Sequence, residues 1–284
     1  MRALALAALI AALAASLAAP AAAEEPGAWR LQSALQARTN SLGIGLLTYS
    51  GYRVKLFDSE NILLKGAFAE AGVVTQLSPA SFHPGVYVQV APVTPLVFRF
   101  AARKLGYFGL FGTVVEYPSA TSDWSPSALD DNARYAEPAV GAAWEASGML
   151  RLKFGRVLVL HEQQLHGLRM DAVAADHFWY ESINDLLVAS HDQVHVMKAT
   201  GAVLVDGRLD DTFLVLGGHW ESYAARESGS TRQITGLVGL WRPRMDWWGE
   251  PSFAALAGVM LEDKYRQWTP YIGGQAIVTF GGVE

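Results

Sequence analysis

The chain has 284 residues, with 22 basic and 27 acidic side chains and a net charge of -5, so it lacks the basic character of a nucleic-acid-binding protein. Hydrophobic residues make up 51% of the sequence, yet no apolar run beyond the N-terminal segment is long enough for a membrane helix. There is no cysteine, so disulfides cannot hold the fold together.

The first 23 residues have the order of a cleavable secretory signal. A positive start at Arg2 is followed by an Ala/Leu-rich apolar run over residues 3–17 and by the small residues Ala21–Ala23. We therefore predict export by the Sec route and cleavage after Ala23. An uncleaved anchor helix is the alternative, but it requires about 20 apolar residues and a positive flank, and this run has neither.

From residue 41 to residue 284 the dominant pattern is alternation of apolar and polar residues with a period of two, which predicts β-strands. Residues 24–40 are assigned to an N-terminal segment, because Trp29–Arg38 fits either a helical or an alternating pattern. Turn residues such as Asp206-Gly207 separate the alternating runs. The predicted strands span 43–57, 62–77, 84–93, 96–111, 138–154, 157–169, 177–189, 194–205, 212–226, 231–242, 252–264 and 268–281.

Strand length and aromatic placement predict how these strands assemble. Many exceed the usual ~5–6 residues of a globular strand and match the ~10 residues of a tilted membrane-spanning strand. Aromatic residues such as Trp241 and Trp268 lie near strand ends, as in the girdles of membrane barrels. The sequence therefore predicts an all-β, antiparallel up-and-down transmembrane barrel of about twelve strands, within a range of ten to fourteen. A soluble secreted β-sandwich is the alternative.

The predicted strand order conflicts with one rule of such barrels. The longest connection, 112–137, follows the fourth predicted strand and so falls on the periplasmic side, where barrels keep short turns. A missing strand before this connection, for which 29–38 is the candidate, would correct the order, as would merging two of the predicted strands.

The C-terminal run from Tyr271 to Phe280 alternates and ends in an aromatic ring. With the signal and the alternating strands, this run resembles bacterial outer-membrane β-barrel proteins, in which such an ending is read by the barrel-assembly machinery. The resemblance implies an outer-membrane location, contact with outer-membrane lipid and lipopolysaccharide, and an assembly signal that includes Tyr271 and Phe280. Here residues 281–284 follow the aromatic, whereas the usual signal ends at it.

Charged residues that alternate with apolar neighbours are predicted to face the lumen of the barrel. The basic members lie mainly in early strands and the acidic members in late strands. Because early strands face late strands across a closed barrel, one basic wall is expected to face a more acidic one, either as ion pairs that block the bore or as a narrow aqueous constriction. The predicted lumen-facing residues are Arg53, Lys55, Arg99, Arg103, Arg151, Lys153, Glu181, Asp185, Lys198, His219 and Glu221.

Two histidine patterns raise the question of an enzyme. His161 and His166 are five residues apart, whereas the zinc protease motif places its histidines four apart. His219 and Ser222 have opposite parity, so a regular strand cannot bring them together for nucleophilic catalysis. We assign no catalytic residue, metal or cofactor. The expected function is a non-enzymatic, porin-like narrow pore or a structural or assembly component; the alternative is a lipid-modifying barrel enzyme of the lipase or deacylase type.

Overall fold

A computed structural model describes residues 27–39, 43–207, 212–243 and 249–281 of the chain. One short helix, α1 (Pro126–Asn132), is followed by a 3-10 turn. No helix in these ranges is long and apolar enough to cross a membrane. The strands are β1 (Gly27–Arg38), β2 (Gly43–Lys55), β3 (Phe68–Leu77), β4 (Ser81–Val93), β5 (Leu96–Phe108), β6 (Glu116–Tyr117), β7 (Pro138–Phe154), β8 (Val157–Met170), β9 (Phe178–Glu181), β10 (Leu186–Ala189), β11 (His191–Gly207), β12 (Phe213–Ala225), β13 (Thr231–Arg242), β14 (Glu250–Glu262) and β15 (Pro270–Gly281).

Twelve of these strands form a closed antiparallel barrel in the ring order β1-β15-β14-β13-β12-β11-β8-β7-β5-β4-β3-β2. The first and last strands close the ring, with Leu31 opposite Phe280 and Gln36 opposite Gln275. Closure pairs the backbone groups that an open sheet would leave at its edges. The predicted all-β, twelve-stranded barrel is confirmed, while the predicted signal peptide over 1–23 lies outside the described residues.

Two details of the predicted strand order are wrong, and they cancel in the count. The barrel begins at Gly27 rather than at residue 41, because β1 supplies the partner that both β2 and β15 require. The predicted strand 177–189 does not exist as one strand: the turn between β9 and β10 interrupts it, with Asp185 at a φ of 60°. These two short strands pair with β6 in a separate three-stranded sheet.

The corrected order sorts the connections into two ends. Both described termini of the barrel and the two-residue turns 94–95 and 155–156 lie at one end, which we call the terminal end. The long connections 109–137 and 171–190 lie at the other, which we call the loop end. Outer-membrane barrels keep short turns and both termini in the periplasm and longer loops outside, so the terminal end is periplasmic and the loop end extracellular.

The outer wall of the barrel is apolar. In every barrel strand the side chains alternate between an inward set, which faces the lumen, and an outward set. The large hydrophobic side chains of the outer wall belong to the outward set. Aromatic pairs mark the terminal end, where the rings of Trp29 and Tyr52 lie 6.0 Å apart and those of Trp241 and Phe253 lie 5.6 Å apart. Exposed members of this wall include Leu35, Ile44, Val73, Val86, Val88, Val90, Phe98, Phe100, Val140, Val159, Leu165, Val203, Leu216, Leu237 and Ile272.

Charged residues, by contrast, line the inner wall, where Glu70 and Glu145 are buried. A bilayer requires this inversion, because a spanning β-structure must close its hydrogen bonds and show apolar side chains to lipid. The chain is therefore an outer-membrane β-barrel.

The predicted assembly signal can be tested on the last strand. Phe280 belongs to the outward set of β15, whereas Thr279 belongs to the inward set, and Tyr271 is buried inside the barrel against Ile234 and Met260. We expect Phe280→Ala to lower the amount of assembled protein much more than Thr279→Ala. The measurement is the fraction of outer-membrane protein that migrates faster on unheated gels. Equal fractions for both variants would mean that Phe280 is not part of the signal.

Candidate functional site

A small sheet fills the loop-end mouth of the barrel. We call β6, β9 and β10, with α1 and the connections that carry them, the cap. One face of its sheet, with Trp179, Leu186 and Val188, packs into the barrel interior against residues such as Tyr107 and Val194. Because side chains alternate along β9 and β10, the face of the cap sheet that points into the barrel is apolar. The opposite face packs a second apolar cluster, whose buried residues are Val115, Tyr117, Trp124, Tyr180 and Leu187.

The turn of the β9–β10 hairpin reaches the far side of the barrel. The hairpin arises between β8 and β11, and β1 stands six places from β8 in the ring of twelve strands. Arg38, at the end of β1, donates hydrogen bonds to the backbone carbonyls of Ser182 and Ile183, the latter at 2.9 Å. The hairpin therefore crosses the whole mouth rather than lying along one wall.

Asp185 anchors this turn. Its carboxylate is fully buried and lies 2.8 Å from Arg266 Nη2 and 3.3 Å from Arg232 Nη1, and it accepts a hydrogen bond from the Tyr180 hydroxyl. We call these four residues the Asp185 hub. Burial alone raises the pKa of Asp185, but the guanidinium groups of Arg232, Arg266 and Arg38 outweigh burial and hold the pKa well below its usual range. The aspartate is therefore charged at neutral pH.

A cavity lies directly beneath the cap. Its volume is about 40 Å³, which is room for roughly three water molecules. Its lining includes His83 and Arg103 from the wall and Glu181 from the cap. His83 is completely buried and neither of its ring nitrogens has a hydrogen-bond partner, while Glu181 accepts hydrogen bonds from the backbone N–H groups of Ile183 and Asn184.

Below the cap, acidic side chains pair with basic ones along the wall. Glu70 accepts from Arg53 Nε at 2.6 Å and from the Tyr87 hydroxyl, with Arg30 Nη1 at 3.9 Å. A second pair joins Arg103 to Glu145 on β7. These two carboxylates are thus neutralised by arginines of neighbouring strands, not across the bore.

The predicted lumen-facing residues fall into two groups. The register places nine of them on the inner wall: Arg53, Lys55, Arg99, Arg103, Arg151, Lys153, Lys198, His219 and Glu221. Glu181 and Asp185 instead belong to the cap, because the strand predicted over 177–189 is a hairpin. Lys198 stands in register with Glu162 on β8 and Glu221 on β12. The expected acidic wall opposite the basic one is therefore wrong, since Glu181 and Asp185 lie at the loop end.

Sequence reasoning missed Glu70, Glu145, Arg232 and Arg266. The first three lie on barrel strands, and parity applied to every charged residue of β3, β7 and β13 would have found them. Arg266 lies in the connection between β14 and β15, where no periodic pattern indicates an inward side chain.

The two histidine patterns singled out in the sequence are not brought together by the fold. His161 belongs to the outward set of β8 and contacts Gln163, whereas His166 points inward and contacts Gln164. His219 points inward to Thr200, and Ser222 belongs to the outward set of the same strand. Within the described ranges, no group of three or more His, Cys, Asp or Glu residues is arranged to hold a metal ion.

The two cap carboxylates predict a pH response of opposite sign. Burial is the largest influence on Glu181 and raises its pKa above the ordinary 4.5, outweighing the N–H groups of Asn184 and Ile183 and the charge of Arg38. An acid with a raised pKa favours the docked cap below its ordinary pKa, and this contribution is lost as the pH rises through the raised value. Asp185, whose pKa is lowered, stabilises the docked cap above its ordinary pKa, and this stabilisation is lost only in stronger acid.

We therefore expect the cap to close more tightly as the pH falls from neutral towards the ordinary glutamate pKa of 4.5. The measurement is wild-type conductance in a planar bilayer, which should decrease over this interval, while Glu181→Gln should flatten the response. A decrease that persists unchanged in Glu181→Gln would assign it to another group.

Neither a protein-family model nor a curated protein matches this chain. Among solved structures, the chain is similar to the β-domain of the Bordetella autotransporter BrkA, with 10% identity, 90% of this chain and 100% of that chain covered, and a TM-score of 0.45. It is also similar to the outer-membrane-expressed OmpT of Vibrio cholerae, with 11% identity, 92% of this chain and 100% of that chain covered, and a TM-score of 0.38. A third similar structure is the translocator domain of the autotransporter NalP from Neisseria meningitidis, with 12% identity, 97% of this chain and 96% of that chain covered, and a TM-score of 0.37.

Proposed function

We propose that the protein is a non-enzymatic passage through the outer membrane for small polar solutes, narrow and closed at its extracellular end by the cap. The observation that carries this proposal is the hairpin that crosses the mouth and is tethered on the far side by Arg38 and the Asp185 hub. Besides the apolar packing of Trp179, Leu186 and Val188 against the barrel interior, the far side of the hairpin is held by ion pairs and hydrogen bonds, which charge or water can break.

The charged residues of the inner wall favour a passage rather than a purely structural barrel. Buried ion pairs stabilise a protein no more than apolar residues of similar volume, because desolvation offsets the attraction. Stability alone therefore gives no reason for the Glu70 and Glu145 pairs inside the barrel. A charged wall is what a polar solute requires, and a barrel of about twelve strands lies between filled small barrels and open porins.

The lipid-modifying enzyme remains the other class of function for a barrel of this type. Its chemistry needs a nucleophile and a histidine on one face of the wall. His219 and Ser222 belong to opposite faces of β12, so this pair gives the enzyme no support.

Conductance of the lumen tests the passage. We expect small wild-type conductance in a planar bilayer and a clear rise in Arg99→Ala/Arg103→Ala, because Arg99 and Arg103 extend from the wall to Tyr49 and Gln76 and occupy the bore. Arg169→Ala is the matched control, since this arginine is exposed outside the lumen next to Asp171. A large wild-type conductance that Arg99→Ala/Arg103→Ala leaves unchanged would contradict both the narrow bore and the role of these residues.

A further inference from the structure

A buried histidine lines the cavity beneath the cap. His83, on β4, is completely buried, and no described protein group forms a hydrogen bond with either of its ring nitrogens. The ring contacts Tyr107 edge-on, with 5.0 Å between the ring centroids, and the Tyr107 hydroxyl lies 3.4 Å from Glu181 of the cap. His83 therefore has a fixed place where the barrel wall meets the cap.

Stability alone gives no reason for a histidine at this position. An uncharged imidazole has one N–H donor and one acceptor nitrogen, and burying either without a partner is unfavourable. A phenyl ring has a similar shape and would keep the contact with Tyr107 without that cost. The two polar atoms of His83 are therefore available to a molecule that enters the cavity.

The ionisable groups that line the cavity beside His83 already have partners. Arg103 pairs with Glu145, and His166 contacts a glutamine on its own strand at 2.9 Å. Glu181 accepts two backbone N–H groups of its own turn, and the charge of Arg38 lies nearby. An ion that entered the cavity would bring a charge that none of these groups is free to balance, which is unfavourable in a buried site. The lining therefore favours an uncharged ligand.

We propose that the cavity beneath the cap binds a small uncharged solute of the amide class, which His83 recognises by hydrogen bonds. An amide both donates and accepts hydrogen bonds, so it matches the donor and the acceptor of the imidazole. The cavity has room for roughly three water molecules, which limits the solute to about four non-hydrogen atoms, the size of acetamide or urea. This assignment rests on the proposed function, because it names the solute class of the passage.

The test is a series of ligands of equal size. Acetamide, acetate and acetone share one shape, but acetate is charged and acetone has no N–H donor. Each is titrated into the full-length protein in detergent micelles, with isotope-labelled histidine, and the chemical shifts of the His83 ring nitrogens are followed by NMR. We expect a saturable shift with acetamide and about tenfold weaker binding of acetate and of acetone. Equal binding of the three would overturn the assignment, as would no saturable shift with acetamide, which would mean that the cavity takes water only.

Two variants then test the role of His83, with the ring shifts of His166, which also lines the cavity, as the common readout. His83→Phe keeps a ring against Tyr107 but removes both nitrogens, so the protein should fold and acetamide affinity should fall about tenfold. His195→Phe is the matched control, since His195 is exposed in the outward set of β11, and it should bind acetamide like wild type. A His83→Phe protein that migrates as folded on unheated gels and keeps wild-type affinity would overturn the role of His83.

The binding and the passage can fail separately, because the NMR titration needs no conduction. Saturable acetamide binding without conductance would contradict the passage alone. Conductance without acetamide binding would contradict this assignment alone.

Discussion

Asp185→Ala is expected to release the cap and to give the largest increase in conductance of any single substitution. Removing the carboxylate leaves Arg232 buried with its remaining ion-pair partner, Glu221, at 3.7 Å, and takes from Arg266 its 2.8 Å contact. Breaking a buried pair costs about 3–5 kcal/mol. A loss of about 3 kcal/mol shifts the ratio of released to docked cap by roughly 10². The measurement is open probability in a planar bilayer.

Asp185→Asn is the matched control for shape. The amide can still accept from the Tyr180 hydroxyl but gives no counter-charge to Arg232 or Arg266, so we expect an intermediate open probability. Trypsin should also cleave after Arg134, in the 109–137 connection, faster in Asp185→Ala than in wild type. A variant that folds, resists trypsin and conducts like wild type would show that the Asp185 hub does not hold the cap.

Glu70→Ala is expected to destabilise the barrel itself by about 3–5 kcal/mol. Glu70 is nearly fully buried, and its loss would leave Arg53 and Arg30 as neighbouring cations with their shared counter-ion removed. The measurement is the free energy of unfolding by urea in detergent, followed by the band shift between folded and unfolded protein on unheated gels.

Glu60→Ala is the control for Glu70→Ala. Glu60 is almost wholly exposed and lies 3.6 Å from an exposed Lys65, an arrangement that contributes little. We expect its unfolding free energy to match that of wild type. Equal stability of the two variants would mean that Glu70 is hydrated and that its contacts with Arg53 and Tyr87 are not needed.

The barrel could be predicted from the sequence because lipid imposes a period of two on every spanning strand. The bounds of β7 and β13 follow directly from that pattern. The cap could not be predicted in the same way, since both of its faces are covered: Trp179 and Tyr180 are neighbours of opposite parity, yet each packs in an apolar cluster. With no polar face, alternation does not distinguish a spanning strand from a buried hairpin.

The charge pattern of the lumen was predicted only in part, for a related reason. Parity indicates which residues point inward, but the height at which each lies depends on where its strand enters the membrane. The late acidic residues were expected to face Arg99 and Arg103 across the bore. Because the hairpin carries Asp185 to the loop end, Arg103 pairs with Glu145 on the neighbouring strand instead. The ion pairs therefore form between neighbouring strands and between the hairpin and the wall, not across the bore.

The central claim, that the cap closes the mouth and must move for solute to pass, is tested most directly by tethering it. The chain has no cysteine, so Arg38→Cys/Ser182→Cys introduces the only two thiols. A short bifunctional thiol reagent can replace the span of the Arg38 side chain, which reaches the Ser182 carbonyl across the mouth. We predict that the uncross-linked variant conducts more than wild type, that cross-linking abolishes its conductance, and that cleaving the linker restores it. Conductance that is unchanged by the cross-link would contradict the claim.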